Sequence, residues 1–211
     1  VGLEHLEQWF LKITDYAEQL LEDLNKIKWP EKVKDMQKNW IGKSKGTKII
    51  FPIKNSKENI EVFTTRPDTL FGVTFLVYAT RHHKLAELIK GVKEEKEYHE
   101  FLKRSSASEK LEKEKEGFFT GKYALHPLTK EEIPIYASNF VVSDYGTGVV
   151  MAVPAHDSRD FKFAKKYKLR IKLVINPENK KLNEKNLKEA YEGSGILINS
   201  NENIEYKIKF Y

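Results

Sequence analysis

Three short apolar runs between residues 48 and 78 most constrain what this chain can fold into. They occupy residues 49–53, 60–63 and 73–78, are rich in β-branched and aromatic side chains, and are bounded by turn residues. Runs of this length and composition predict strands, because such side chains pack well on a pleated surface. This part of the chain is therefore predicted to form a sheet whose strands are joined by tight connections.

The connection between the second and third runs, residues 64–72, carries three threonines and a Pro-Asp turn, and we call it the threonine loop. Pro67 fixes its own φ, biases Arg66 toward an extended backbone and suits the second position of a turn. We expect backbone amides and small hydroxyls to converge there and hold a small polar ligand. An ordinary turn, with threonines present for their strand preference, explains the same residues, so both interpretations stay open.

A second loop, residues 152–160, ends in His-Asp-Ser-Arg-Asp and is called the acidic loop. Asp157 is a suitable N-cap for a helix over residues 158–168, and Asp160 would be its third residue, where a carboxylate favours the helix start. A carboxylate there can also project into a cleft and bind a substrate ammonium group. His156, Asp157 and Asp160 together leave a metal-dependent hydrolase as an alternative, although no metal-binding spacing accompanies them.

The other patterns set the fold class. Helices are predicted over residues 3–28, 31–39, 82–116 and 158–168, and further strands over residues 123–125, 133–137, 140–142, 149–153, 171–175, 196–198 and 204–210. Strands grouped with helical excursions predict an α+β fold, with a mixed, barrel-like sheet core surrounded by helices and an N-terminal helical extension. The segments expected are a helical flank at 1–40, a domain at 41–200 and a terminal strand or tail at 201–211.

Charge points to an anionic partner. The chain has 211 residues and a formal net charge of +6, with 32 lysines but only five arginines. Lysines attract phosphate diffusely, whereas base readout in a DNA groove relies mainly on arginine. A lysine- and glutamate-rich solvated surface explains the same composition, so charge alone does not choose between the two.

Composition also restricts the setting. The chain has no cysteine, which excludes disulfides, zinc thiolate sites and cysteine nucleophiles and fits a reducing, cytoplasmic location. No run approaches the roughly 18 apolar residues of a membrane span, and the first residues lack a signal-peptide pattern. We therefore expect no membrane partner. No Walker A or complete dinucleotide fingerprint occurs, so we also expect no cofactor.

Four segments together resemble the editing domain of leucyl-tRNA synthetases, the insertion called connective peptide 1. They are Thr-Thr-Arg-Pro-Asp-Thr at 64–69, the stretch from Tyr145 to Asp160, Trp-Phe-Leu-Lys-Ile-Thr at 9–14, and Asn-Trp-Ile-Gly-Lys-Ser at 39–44. The resemblance covers about residues 1–200 and implies the class Ia synthetase editing-domain fold. Ser158 and Ala155 stand where the family often has Gln and Gly. No HIGH-like or KMSKS-like signature occurs, so the ATP-dependent charging site is absent from this chain.

The resemblance implies an aminoacyl-tRNA deacylase, which hydrolyses the ester of tRNA-Leu mischarged with norvaline, isoleucine or similar amino acids. It implies that Asp160 binds the α-ammonium group and that Thr64 and Thr65 contact the reacting end. Thr69 would exclude leucine itself. The other substrate-binding residues implied are Arg66, Tyr145, Met151, His156, Asp157 and Arg159. The partners would be the tRNA-Leu 3′ end and the remainder of the synthetase; a non-catalytic tRNA-binding or docking module is the alternative.

Overall fold

The computed structural model describes residues 7–107, 116–142 and 146–200. The chain forms two compact units, Val1–Lys45 and Gly46–Tyr211. The division falls after Lys45, and the roles expected for segments 1–40, 41–200 and 201–211 stay predictions. Tyr145 and the predicted terminal strand or tail at 201–211 lie outside the described residues.

The first unit is helical, but its first helix is shorter than predicted. A 3-10 turn at Ile13–Tyr16 leads into helix α1 (Ala17–Asp23), and residues 7–12 are not helical. Trp9, Phe10 and Leu11 are exposed, and an amphipathic segment that buries no apolar face gains little stability as a helix. The prediction of one helix over 3–28 is therefore wrong. Helix α2 (Glu31–Ile41) follows Pro30 as predicted, so the helical extension itself is confirmed.

The second unit contains a hairpin, a four-stranded sheet and a short strand pair. The strands are β1 (Thr47–Pro52), β2 (Asn59–Thr64), β3 (Phe75–Ala79), β4 (Gly117–Leu125), β5 (Glu132–Ser138), β6 (Val149–Ala152), β7 (Ile175–Asn176) and β8 (Ile196–Leu197). The large sheet has the order β4-β5-β3-β6, with β3 and β5 parallel and the other neighbours antiparallel. The predicted α+β class and mixed sheet are confirmed.

The strands follow one another around a ring, but the described residues do not close it into a barrel. The β1–β2 hairpin joins the large sheet through a bridge between Ile53 and Ala124. On the other side β2 packs beside β6 without a hydrogen-bonded ladder between them among the described residues. The core is barrel-like only in this arrangement, because hydrogen-bonded closure would require continuous pairing at both junctions.

Helix α5 (Ser158–Tyr167) is fixed against the large sheet, while α3 (His83–Leu88) and α4 (Glu95–Ala107) occupy the predicted 82–116 region. Phe163 of α5 is fully buried and stacks on Phe75, with ring centroids 5.4 Å apart. The Tyr167 hydroxyl accepts from the Gly117 amide at 2.9 Å and donates to the Gly117 carbonyl at 2.7 Å. The first turn of α5 therefore has a defined position.

Among the described residues, no helix is long and apolar enough to span a membrane.

Two predicted strands are largely absent from the structure. Residues 140–142 are not a strand, because Asn139 ends β5: its amide donates to the Glu116 carbonyl at 3.1 Å, and its side chain accepts from the Glu116 amide at 3.0 Å. The strand predicted over 171–175 shrinks to Ile175–Asn176. Side chains take the place of a partner strand there, since Glu184 accepts from the Leu173 amide and His156 from the next two amides.

Candidate functional site

The antiparallel pairing of β3 with β6 brings the threonine loop and the acidic loop together. The threonine loop ends just before β3 begins, and the acidic loop starts where β6 ends. Phe75 at the start of β3 lies opposite Ala152 at the end of β6, so both loops emerge at the same end of the sheet. A Cβ on Gly72 would stand 2.9 Å from a Val153 methyl group, which shows how closely the loops approach.

Local hydrogen bonds shape the threonine loop. The Thr64 hydroxyl, at the end of β2, accepts from the Arg66 amide at 3.0 Å. After Pro67 the chain forms a 3-10 turn, Pro67–Gly72, in which the Thr69 hydroxyl donates to the Arg66 carbonyl at 2.8 Å. Thr69 is 2% exposed, whereas Thr65 is exposed. The loop thus combines one fixed, buried threonine with two more accessible ones.

The two aspartates of the acidic loop have different positions. Asp157 caps α5: its Oδ1 accepts from the Arg159 amide at 2.7 Å and from the Asp160 amide at 3.1 Å. Such a cap is worth about 1 kcal/mol of stability. Asp160 points the other way, and its Oδ2 accepts from the Val153 amide at 2.8 Å. With an exposed fraction of 6%, its carboxylate lies buried at the junction of β6 and α5.

A pocket of about 550 Å³ lies between these loops. Its lining includes every described residue that the sequence indicated for the site, namely Thr64, Thr65, Arg66, Thr69, Met151, His156, Asp157, Arg159 and Asp160. Tyr145 cannot be placed, because it lies outside the described residues. The structure therefore brings together side chains from two segments about 90 positions apart, as expected of a ligand site with a few polar groups on an apolar wall.

Sequence reasoning missed the apolar wall. The additional lining residues are Phe63, Phe140, Val141, Val142, Val150 and Val153. In the sequence these residues had the apolar pattern of ordinary strand residues, which does not indicate a pocket. Only position could have revealed some of them, since Phe63 precedes the threonine loop directly and Val150 and Val153 flank Met151 and Ala152.

His156 is committed to the backbone. Its Nε2 lies 3.0 Å from the Val174 amide and 3.2 Å from the Ile175 amide, which can only donate to it. Its Nδ1 therefore carries the proton and donates to the Tyr191 carbonyl at 2.9 Å. Neither nitrogen is left to bind a metal, and no three-residue metal cluster of His, Asp or Glu exists among the described residues. The metal-dependent alternative built on His156, Asp157 and Asp160 loses its nitrogen ligand.

Two arginines at the pocket are each held by a neighbouring aspartate. Arg66 donates to Asp68, with one nitrogen at 2.8 Å, and Arg159 donates to Asp157 at 3.1 Å. These hydrogen bonds raise the pKa of both guanidinium groups. Burial raises the pKa of Asp157, but hydrogen bonds from the Arg159 side chain and the helix amides outweigh it, so the net pKa is lowered. The pocket therefore has fixed positive and negative groups at neutral pH.

Stability is expected to fall as the pH drops from 6.5 to 5.5. Burial lowers the pKa of His126 and His156 below 6.5, so the unfolded chain takes up protons in this range before the folded chain does. The free energy of unfolding should decrease across this range for each histidine that stays neutral in the folded protein, by at most about 1.4 kcal/mol per pH unit. Urea unfolding at fixed pH values measures this. His156→Asn should reduce the slope, and a flat profile would contradict the assignment.

Comparison with known families supports the sequence resemblance. The family model described as leucyl-tRNA synthetase, editing domain, matches residues 38–210. Leucine–tRNA ligase of Thermotoga maritima is 55% identical over 206 residues, and that of Petrotoga mobilis is 53% identical over 208 residues. These matches cover 95% and 96% of this chain but only 25% of each relative. The chain thus spans about a quarter of the length of the curated relatives it matches.

A solved structure shows the same fold. The crystal structure of the Agrobacterium radiobacter K84 agnB2 LeuRS–tRNA–LeuAMS ternary complex is similar to this chain, with a TM-score of 0.66 and 38% sequence identity. The similarity covers 84% of this chain and 22% of that one. The match supports the mixed α+β architecture.

Proposed function

Because the chain belongs to the leucyl-tRNA synthetase editing-domain family, we propose that it hydrolyses the ester linking a noncognate amino acid to tRNA-Leu. The substrates proposed are tRNA-Leu carrying norvaline, isoleucine or a similar amino acid. One observation carries the proposal: the pocket collects Thr64, Thr65, Thr69 and Asp160 from separate loops onto an apolar wall. This combination suits an amino acid with an apolar side chain and a free α-ammonium group.

Asp160 binds the α-ammonium group in this proposal. Its carboxylate is buried, and the Val153 amide holds one of its oxygens. The N-terminus of α5 favours negative charge at this position. A hydrogen bond between an ammonium group and a carboxylate in a partly dry site is stronger than one between neutral groups. Asp160 would therefore fix the amino-acid end of the substrate and aim its carbonyl carbon at the threonine loop.

The reaction itself needs a water molecule and no cofactor. The water oxygen attacks the ester carbonyl carbon, the bond to the ribose oxygen breaks, and that oxygen takes up a proton, leaving a free amino acid and tRNA. Thr64 and Thr65 would contact the carbonyl and the terminal ribose. His156 makes backbone hydrogen bonds through both ring nitrogens, so it does not act as a general base. We assign proton transfer to water and the neighbouring ribose hydroxyl, with positioning as the main source of acceleration.

Selectivity follows from the size of the pocket. An apolar site that attaches amino acids to tRNA distinguishes two substrates that differ by one methylene group by only about 1–3 kcal/mol. A second, hydrolytic site that removes the wrongly attached amino acid is a known remedy for synthetase errors. Thr69 is buried and held by its own hydroxyl, so its side chain can set a fixed steric limit. Met151 would line the same compartment. In this proposal Thr69 excludes leucine and admits noncognate amino acids that avoid its side chain.

The remaining contacts involve the tRNA end. Arg66 and Arg159 are positive groups at the pocket, and both can approach phosphate oxygens of the terminal nucleotides. Tyr145 precedes the glycine turn at 146–148 and is proposed to line the adenosine or side-chain compartment. The rest of a synthetase, including the charging site, would be a further partner of the helical flank. In this proposal the chain works in the cytoplasm with the machinery of protein synthesis.

A deacylation assay tests the proposal. The 211-residue chain, in molar excess over norvalyl-tRNA-Leu labelled in the amino acid, should release norvaline faster than buffer alone. Excess protein keeps slow turnover measurable if the chain lacks contacts with the tRNA body. Binding of tRNA-Leu without accelerated release would favour the non-catalytic docking module, and inhibition by a chelator would favour a metal-dependent hydrolase. If the chain neither binds tRNA-Leu nor accelerates the release of norvaline, the proposal is wrong.

A further inference from the structure

We propose that His126 is a positioning residue that keeps leucine out of the pocket by fixing the turn that carries Thr69; this inference rests on the proposed function. His126 lies outside the pocket lining, directly after the last residue of β4. Its side chain is 2% exposed. Its ring reaches across to the threonine loop, where Nε2 lies 3.0 Å from the Leu70 carbonyl oxygen.

The hydrogen bonds define which nitrogen carries the proton. The Leu128 and Thr129 amides lie 3.2 and 3.1 Å from Nδ1, and amides can only donate. Nδ1 therefore accepts, and the proton of the neutral ring is on Nε2. Nε2–H donates to the Leu70 carbonyl. The ring thus acts as a rigid connector between its own turn and the threonine loop.

Packing prevents the ring from moving away. It stacks on Phe71, with centroids 5.9 Å apart and an angle of 28° between the rings, and meets Phe51 edge to face at 6.3 Å. Phe51 is fully buried and Phe71 is 4% exposed. The His126 ring is therefore confined on both sides, and the direction of its Nε2–H bond is constrained.

Thr69 lies between two fixed carbonyl groups. On one side its hydroxyl donates to the Arg66 carbonyl. On the other side the Leu70 carbonyl, in the next residue, accepts from both Val73 and His126. A steric limit that distinguishes substrates by a methyl or methylene group must be placed to within about 0.5 Å. The Nε2–H group of His126, which lies outside the threonine loop, restrains the backbone at Leu70, directly after Thr69.

Two substitutions separate the bond to Leu70 from the rest of the histidine's role. In His126→Asn the short amide can still accept from the Leu128 and Thr129 amides, as in an Asx turn, but cannot reach Leu70. In His126→Gln the longer amide can donate to the Leu70 carbonyl. Thermal unfolding of both variants, followed by circular dichroism, checks that they fold cooperatively.

The readout is the ratio of leucyl-tRNA-Leu hydrolysis to norvalyl-tRNA-Leu hydrolysis. We expect His126→Asn to raise this ratio by about tenfold, the size of a one-methylene discrimination. His126→Gln should keep the wild-type ratio. Equal loss of discrimination in both variants would show a general structural role and overturn the proposal, and so would an unchanged ratio in both.

Two measurements on the wild-type protein are independent of hydrolysis. Imidazole ¹⁵N shifts at neutral pH should identify His126 as protonated at Nε2, and hydrogen exchange should show the Thr69 and Val73 amides protected. Protonation at Nδ1 or rapid exchange at both amides would overturn the proposal, even if the variants do not fold. Absence of norvalyl-tRNA-Leu hydrolysis by the wild type, with both measurements as expected, would instead refute the proposed function.

Discussion

Replacing Asp160 with asparagine is expected to lower kcat/KM for deacylation of norvalyl-tRNA-Leu by about a hundredfold, because truncating one partner of a buried charge pair costs about 2–5 kcal/mol. The substitution removes the negative charge but keeps an oxygen that can accept from the Val153 amide. Loss of activity would therefore report the missing charge and not a rearranged loop. The measurement is the rate of norvaline release at several substrate concentrations.

The matched control is Glu61→Gln, which makes the same change of charge at an exposed residue of β2. It should leave deacylation unchanged, since Glu61 is paired with Lys48 away from the pocket lining. Thermal unfolding should be similar for both variants. An Asp160→Asn protein that folds and hydrolyses the substrate at the wild-type rate would contradict the role of Asp160 as the ammonium anchor.

Replacing Thr69 with alanine is expected to make correctly charged leucyl-tRNA-Leu a substrate. Removal of the methyl and hydroxyl groups from a 2% exposed side chain opens space at the point where, in the proposed function, leucine collides with Thr69. The rate of leucine release should rise by about 10- to 200-fold, the range of discrimination that one methylene provides. Hydrolysis of norvalyl-tRNA-Leu should change much less, because norvaline is proposed to fit the pocket of the unaltered chain.

Thr69→Val and Thr69→Ser separate size from hydrogen bonding. Valine keeps the branched shape but loses the hydrogen bond to the Arg66 carbonyl, and serine keeps the hydroxyl but loses the methyl group. If the limit is steric, Thr69→Val should still spare leucyl-tRNA-Leu. Continued protection of leucine by Thr69→Ala would remove Thr69 from this role, and hydrolysis by Thr69→Val alone would show that the hydrogen bond matters more.

Local patterns in the sequence predicted the local structure well. Short apolar runs rich in β-branched and aromatic residues located β1, β2 and β3, and Asp157 identified the start of α5. These features depend on residues close to one another in the chain, so they can be found without knowledge of the fold. Where burial by distant residues decides the outcome, the same patterns failed, as for the helix expected over 3–28.

Non-local pairing explains the other differences. Residues 140–142 looked like a strand, but Asn139 pairs with Glu116 and turns the chain into the pocket wall. Residues 171–175 also looked like a strand, but His156 and Glu184 take its amides. A histidine or glutamate that replaces a strand partner leaves no periodic signal, because its effect depends on contacts between distant segments.

The sequence by itself determined the polar groups of the pocket. The turn, the N-cap and the carboxylate are each visible in consecutive residues of the threonine loop or the acidic loop. Only the tertiary structure decided that these groups share a pocket. The antiparallel register of β3 against β6 brings the loop before one strand beside the loop after the other. That register depends on side-chain packing and backbone pairing between segments far apart in the chain, which local sequence patterns do not specify.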